Sequence, residues 1–144
     1  TSITLIFMFS ELQDKVHGIA HWYSTEGKNP EIDPNMLVKA EVTLTSLIAT
    51  IAHQEVVAKR QATQTKLDYE FEHYTTVGRV KKELQCSNAE AERTSELQTF
   101  AMKRKYKEAE DDHHAWKQLY MSSKLMWENF RSHLSFIKNQ LGNE

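Results

Sequence analysis

Residues that break or cross-link a chain are scarce among these 144. A single cysteine, Cys86, excludes an internal disulfide and a multi-cysteine zinc site, and it fits a reducing compartment, so a cytoplasmic protein is expected. Only two prolines and four glycines are present, and after Pro34 only Gly78 precedes Gly142. So little interruption predicts an all-α fold. The longest strongly apolar run, Ile3 to Phe9, falls well below the roughly 18 residues of a membrane span and lacks the basic flank of a signal peptide. No membrane insertion is expected. There is also no Gly-rich phosphate loop, no nucleophile elbow and no Cys/His pair with an orienting partner, which points away from an enzyme and from a cofactor.

What is present is periodicity. Met102, Tyr106, Ala109, His113, Trp116, Tyr120, Ser123, Trp127, Phe130, Leu134, Ile137 and Leu141 recur in alternating steps of four and three. That heptad seam predicts one long helix whose apolar stripe must meet another helix. A second stripe, from Leu37 through Leu44, Leu47, Ile48 and Ile51 to Ala58 and Ala62, follows Asp33-Pro34, a strong helix-start signal. Ser10 to Tyr23 carries a short amphipathic pattern that Ser10 would cap. Thr75 to Gly78 are poor helix formers, and Ser87 with Glu90 makes a capping box, so the chain is expected to reverse between them.

With 40% hydrophobic and 26% charged residues the chain falls in the globular range, and its length suits one domain. The expected layout is an apolar N-terminal extension over 1–9, a short helix over 10–25, a long helix over 34–75, a turn region over 76–87 and a long seam-bearing helix over 88–141. Residues 1–9 are open to three readings: an oligomer contact, a short strand, or an extension ahead of a translation start at Met8. A long antiparallel helical hairpin leaves much of so aromatic a seam uncovered. Assembly into an oligomeric bundle or ring is therefore expected, with Trp116, Tyr120, Trp127, Phe130, Leu134, Ile137 and Leu141 forming the oligomer or hairpin seam.

Charge is uneven. From Glu55 to Lys107 eleven bases face eight acids, while the remainder of the chain is acidic. Such a distribution suits a polyanion surface combined with protein contacts. Lys59, Arg60, Lys66, Lys81, Lys82, Lys103, Arg104 and Lys105 are the candidate phosphate contacts, and Tyr69 and Tyr106, interleaved with them, are candidates for base stacking. The bland alternative is a solvated helix face with core tyrosines. The pairs His17 with His21 and His113 with His114 lack an evident third ligand, so no metal site is expected, although a metal-linked structural protein stands as a third reading.

Several short stretches in order are similar to the UvsY family, the recombination mediators of T4-like bacteriophages. They are Leu12-Gln13, Ile32-Asp33 followed by Leu37, Lys66-Leu67-Asp68-Tyr69, Met102-Lys103, Ala109-Glu110 and Ile137-Lys138. The resemblance covers about residues 8 to 141. It implies a helical protein that closes into a ring-like oligomer and binds single-stranded DNA, in the host cytoplasm if phage-encoded. Its further partners would be a RecA-like recombinase and the single-strand DNA-binding protein that recombinase displaces. The resemblance places a DNA-contacting base at Lys66, whereas Gln64 stands where the family can have a second. The family's Gly-rich acidic loop is also replaced here by Arg79, Lys81 and Lys82. The expected function is thus a non-enzymatic recombination mediator acting in recombination, repair and replication. The rival expectation is a helical adaptor or inhibitor that works through protein contacts and binds no nucleic acid.

Overall fold

The computed structural model describes residues 3–142, and helix takes up nearly all of them: α1 (Ile3–Trp22), α2 (Pro34–Leu84), α3 (Asn88–Gln98) and α4 (Phe100–Gly142). No strand occurs among the described residues, so the fold class is all-α. Two residues of the expected N-terminal extension, Thr1 and Ser2, lie outside the described range.

The helix boundaries follow local caps where tertiary packing does not override them. Asp33 accepts from the Asn35 amide at 3.0 Å and α2 begins at Pro34. Ser87 likewise accepts from the Glu90 amide at 3.3 Å ahead of α3. At three places the expected layout is corrected. The Ile3 to Phe9 run is not a strand: it forms the first turns of α1, and Ser10 lies inside the helix and caps nothing. Phe9 packs edge-on against Trp116, ring centroids 4.9 Å apart, which gives those turns a tertiary anchor that the local sequence does not show.

The second correction concerns the reversal. α2 continues through Thr75 to Gly78 and ends only at Leu84, because Thr76 and Val80 are buried on the same stripe as His73. That burial outweighs the roughly 1 kcal/mol cost of a helical glycine. The turn itself is Gln85 to Ser87, with Gln85 at φ 49°. Left-handed backbone is costly for a side-chain-bearing residue, so Gln85→Gly should raise stability by about 0.5–1 kcal/mol after allowance for the unfolded chain. A higher urea midpoint with an unchanged m-value is the expected result.

The third correction is at Thr99, which divides the expected single C-terminal helix into α3 and α4. Its hydroxyl donates to the Ser95 carbonyl at 2.7 Å, and its backbone departs from helical values at φ −103°. The Thr99 amide still donates to the Ser95 carbonyl at 2.9 Å, so the interruption is confined to this one residue.

The chain divides into two compact units. Unit 1 comprises Thr1–Glu55 and Ala115–Glu144, and unit 2 is Val56–His114. Unit 1 has an apolar core: Leu12 and Val16 of α1, Leu37, Leu44 and Ile51 of α2, and Trp116, Leu119 and Phe130 of α4 are all buried. Trp127 Nε1 donates to Thr45 Oγ1 at 2.9 Å, and that hydroxyl donates onward to the Glu41 carbonyl. After Trp22 the helix widens into a π-helical turn, Tyr23–Gly27, in which the Lys28 amide donates to the Tyr23 carbonyl. Gly27 is required there, since a Cβ would stand 2.6 Å from the Tyr23 ring. The turn sets Tyr23 edge-on to Phe130 at 4.5 Å, with its hydroxyl hydrogen-bonded to His133 Nδ1 at 3.1 Å.

Unit 2 is held differently. Its buried side chains are mostly small or polar: Thr65, His73, Thr76 and Val80 of α2, Ala91 and Ser95 of α3, then Thr99 and Ala109. Ser95 and Thr99 return their hydroxyls to carbonyls four residues back, so the small side chains are buried without unpaired polar atoms.

Candidate nucleic-acid interface

All eight bases expected to contact phosphate lie in unit 2. On α2 the buried stripe of Thr65, His73, Thr76 and Val80 fixes which way every other residue of that segment faces. The opposite face carries Arg60, Leu67, Tyr74 and Lys81, each seven residues from the last, so they share one face with a drift of about 20° per step. Phe71 lies beside them. From Arg60 to Lys81 this stripe spans roughly 31 Å at the helical rise. Its centre is open: Leu67 is 54% exposed, Phe71 73% and Tyr74 70%. Gly78, on the same face, leaves empty space where a side chain would stand.

The other bases are distributed around this stripe. Lys59 and Lys66 share a second face of α2, and Lys82 is a third of a turn from Lys81. Lys103, Arg104 and Lys105 point in successive directions around α4, and Arg104 is paired with Glu108 at 3.3 Å. Lys107 is likewise 3.8 Å from Glu110, and Arg79 is 3.9 Å from Glu83. Exposed pairs of this kind contribute little to stability. Counted over the whole of unit 2, eleven bases meet eleven acids, because Glu108 to Asp112 fall inside it. The unit as a whole is neutral: Arg60 and Lys81 are the bases of the exposed stripe, and Glu70 lies beside it.

Tyr69 and Tyr106, expected to stack on bases, stack on each other with centroids 5.5 Å apart and planes 20° from parallel. Lys107 covers the Tyr106 ring at 4.8 Å. This stack sets the α4 turn that carries Lys103 to Lys107 against the α2 turn that carries Lys66. The aromatic rings of this part of α2 that face solvent are those of Phe71 and Tyr74. The stripe of seam residues on α4 is used inside unit 1 at Trp116, Ser123 and Phe130, which are buried, while Tyr120, Trp127, Leu134 and Ile137 are half-buried and Leu141 is exposed.

Sequence reasoning missed His73. It is buried, with Nε2 3.1 Å from Glu92 and Nδ1 3.4 Å from Thr99, and its ring lies beside Tyr69 and Tyr74. Its position on the stripe of Thr65, Thr76 and Val80 is the signal that would have found it. Among the described residues no three His, Cys, Asp or Glu side chains converge in a way that could hold a metal ion.

Two phenols are shifted. Burial raises the Tyr23 pKa above the ordinary 10.0, and burial followed by the negative charge of Glu96 does the same to Tyr69. The folded chain therefore favours both neutral phenols more than the unfolded chain does. Their contribution is complete below pH 10.0 and is lost as pH rises through the raised values. A helical circular-dichroism signal followed at fixed urea should begin to fall above pH 10, and Tyr23→Phe with Tyr69→Phe should flatten that fall.

The chain matches no protein-family model, no curated protein and no solved structure.

Proposed function

We propose that this chain is a non-enzymatic, oligomeric protein that binds single-stranded DNA with little sequence preference. In the finer reading, which the resemblance to the UvsY family supplies, it is a recombination mediator. It would help a RecA-like recombinase replace single-strand DNA-binding protein. The observation that carries the DNA reading is the exposed stripe on α2, where Arg60 and Lys81 bracket Leu67, Phe71 and Tyr74. Single strands are bound by this mixture: cations follow the phosphates while rings stack on bases irrespective of sequence. Lys59, Lys66 and Lys82 flank the stripe and would widen its reach, and Lys103, Arg104 and Lys105 would add contacts from α4.

Assembly, as a ring or bundle of helical hairpins, is supported by unit 1. Among the described residues of the chain nineteen large hydrophobic side chains are exposed against eleven hydrophobic ones buried, and Ile3, Ile6, Phe7, Val42, Leu125 and Phe136 of unit 1 belong to the exposed group. By length and composition α2 contains an 18-residue stretch apolar enough to cross a membrane, and only 17% of it is buried. Exposed apolar surface of that kind marks protein or membrane contact sites, and here it is assigned to contacts between copies of the chain. Repeating the α2 stripe around an oligomer would turn weak contacts into avidity. The adaptor reading draws on the same apolar surface and on the neutrality of unit 2.

Salt separates the two. Fluorescence anisotropy of a labelled oligothymidylate, titrated at several salt concentrations, should give an affinity whose logarithm falls linearly with log salt, by about 0.7 per phosphate contact. Absence of binding at low salt would leave the adaptor.

A further inference from the structure

Unit 1 contains a groove unrelated to the α2 stripe. Gly18, Ile19 and Trp22 form its α1 wall, and Ala40 and Leu47 belong to its α2 wall; it encloses about 490 Å³. The lining from Lys15 to Trp22 covers two helical turns, roughly 10 Å. Each wall carries one charged residue, Lys15 on α1 and Lys39 on α2, and no acid lines the groove. This is notable in its setting, because unit 1 holds nine acids against seven bases. The groove is thus an apolar trough with a cation on each side, set in an acidic unit.

We propose that this groove docks a short acidic segment of a partner protein, with an apolar side chain in the trough and carboxylates on the two lysines. A groove between two helices, two turns long, suits a helical or extended peptide laid along it. Charge decides the partner's sign. Two lysines are too few to follow a phosphate backbone, but they suffice to select an acidic peptide over a basic one by electrostatic complementarity. Lys15 is at present held by Glu11 at 3.0 Å, with both side chains more than half exposed. Such an i,i+4 pair is weak and exchanges readily for an incoming carboxylate. Gly18 lines the trough and a Cβ there would meet nothing within 4 Å, so a side chain has room to start from this position. This proposal does not depend on the nucleic-acid reading.

The test uses the full chain and a fluorescein-labelled, Glu-rich peptide carrying two leucines four residues apart. Controls are the same peptide with Lys for Glu, the same peptide with Ala for Leu, and dodecanoate as a competitor of different class. Anisotropy should show binding of the first peptide and at least tenfold weaker binding of both control peptides. Gly18→Leu should weaken binding at least tenfold, as should Lys15→Glu with Lys39→Glu, while helical content and sedimentation stay those of the parent. Equal affinity for the acidic and basic peptides would overturn the proposal, as would Gly18→Leu binding unchanged. No peptide binding at all, or binding of dodecanoate alone, would do the same. If Gly18→Leu dissociates an assembly, the occupant is a second copy of this chain and the acidic-peptide assignment fails.

Discussion

Phe130→Ala lowers the stability of unit 1 by about 3–5 kcal/mol, the usual cost of emptying a fully buried phenylalanine site. Phe130 has no exposed surface, and its ring receives Tyr23 edge-on at 4.5 Å. The loss has two parts: the transfer free energy of the ring, and a cavity that the π-helical turn cannot collapse to fill, because Gly27 already sits against Tyr23. Since domains of this size have a total stability of about 5–15 kcal/mol, the variant should lose much of its unfolding transition in urea. Phe136→Ala, at a site that is 59% exposed, is the control and should leave the midpoint nearly in place. Equal effects of the two substitutions would show that the packing around Tyr23 is not what holds unit 1 together.

Phe71→Ala with Tyr74→Ala is the second large effect, and it is expected in binding and not in stability. Stacking of a base on a ring is worth about 1–3 kcal/mol, so the pair should weaken single-strand binding by at least about thirtyfold. Both rings are largely exposed, so their removal opens no cavity and the urea midpoint should hold. Arg60→Gln with Lys81→Gln should act on a different quantity. It should lower the magnitude of the salt slope by about 1.4, the share of two phosphate contacts on a single strand. An affinity that responds to Tyr69→Ala and ignores Phe71 and Tyr74 would move the interface to the Tyr69–Tyr106 stack.

The all-α class was legible because it rests on absences that act everywhere: with almost no glycine or proline after residue 34, few other structures are open to the chain. Caps were legible because they act within three residues, as at Asp33 with Asn35 and Ser87 with Glu90. What sequence alone could not show was long-range burial. Thr75 to Gly78 look like a break until Thr76 and Val80 are seen to be buried, and Ser10 looks like a cap until Phe9 is seen against Trp116. The candidate site divides in the same way. Which residues are bases could be read directly. Tyr69 and Tyr106, 37 positions apart, could be assigned to each other only once α2 and α4 were in place. Phe71 and Tyr74 then became the rings facing solvent.

The two units differ in how much chain each needs before it can close. Unit 2 is one continuous stretch, Val56–His114, whereas unit 1 draws on segments separated by that whole stretch. During synthesis unit 2 therefore has all its contacts to hand early. Leu37, Leu44 and Ile51 must wait for Trp116, Leu119 and Phe130 to emerge. At about 5–20 residues per second, that wait for the intervening segment is roughly 3–12 seconds. For that interval the nascent chain presents the Leu37, Leu44 and Ile51 stripe of α2 uncovered, the kind of transiently exposed apolar surface that makes a folding chain prone to aggregate. A truncation ahead of Trp116 should leave a chain in which unit 2 is formed and the N-terminal helices remain in that exposed state.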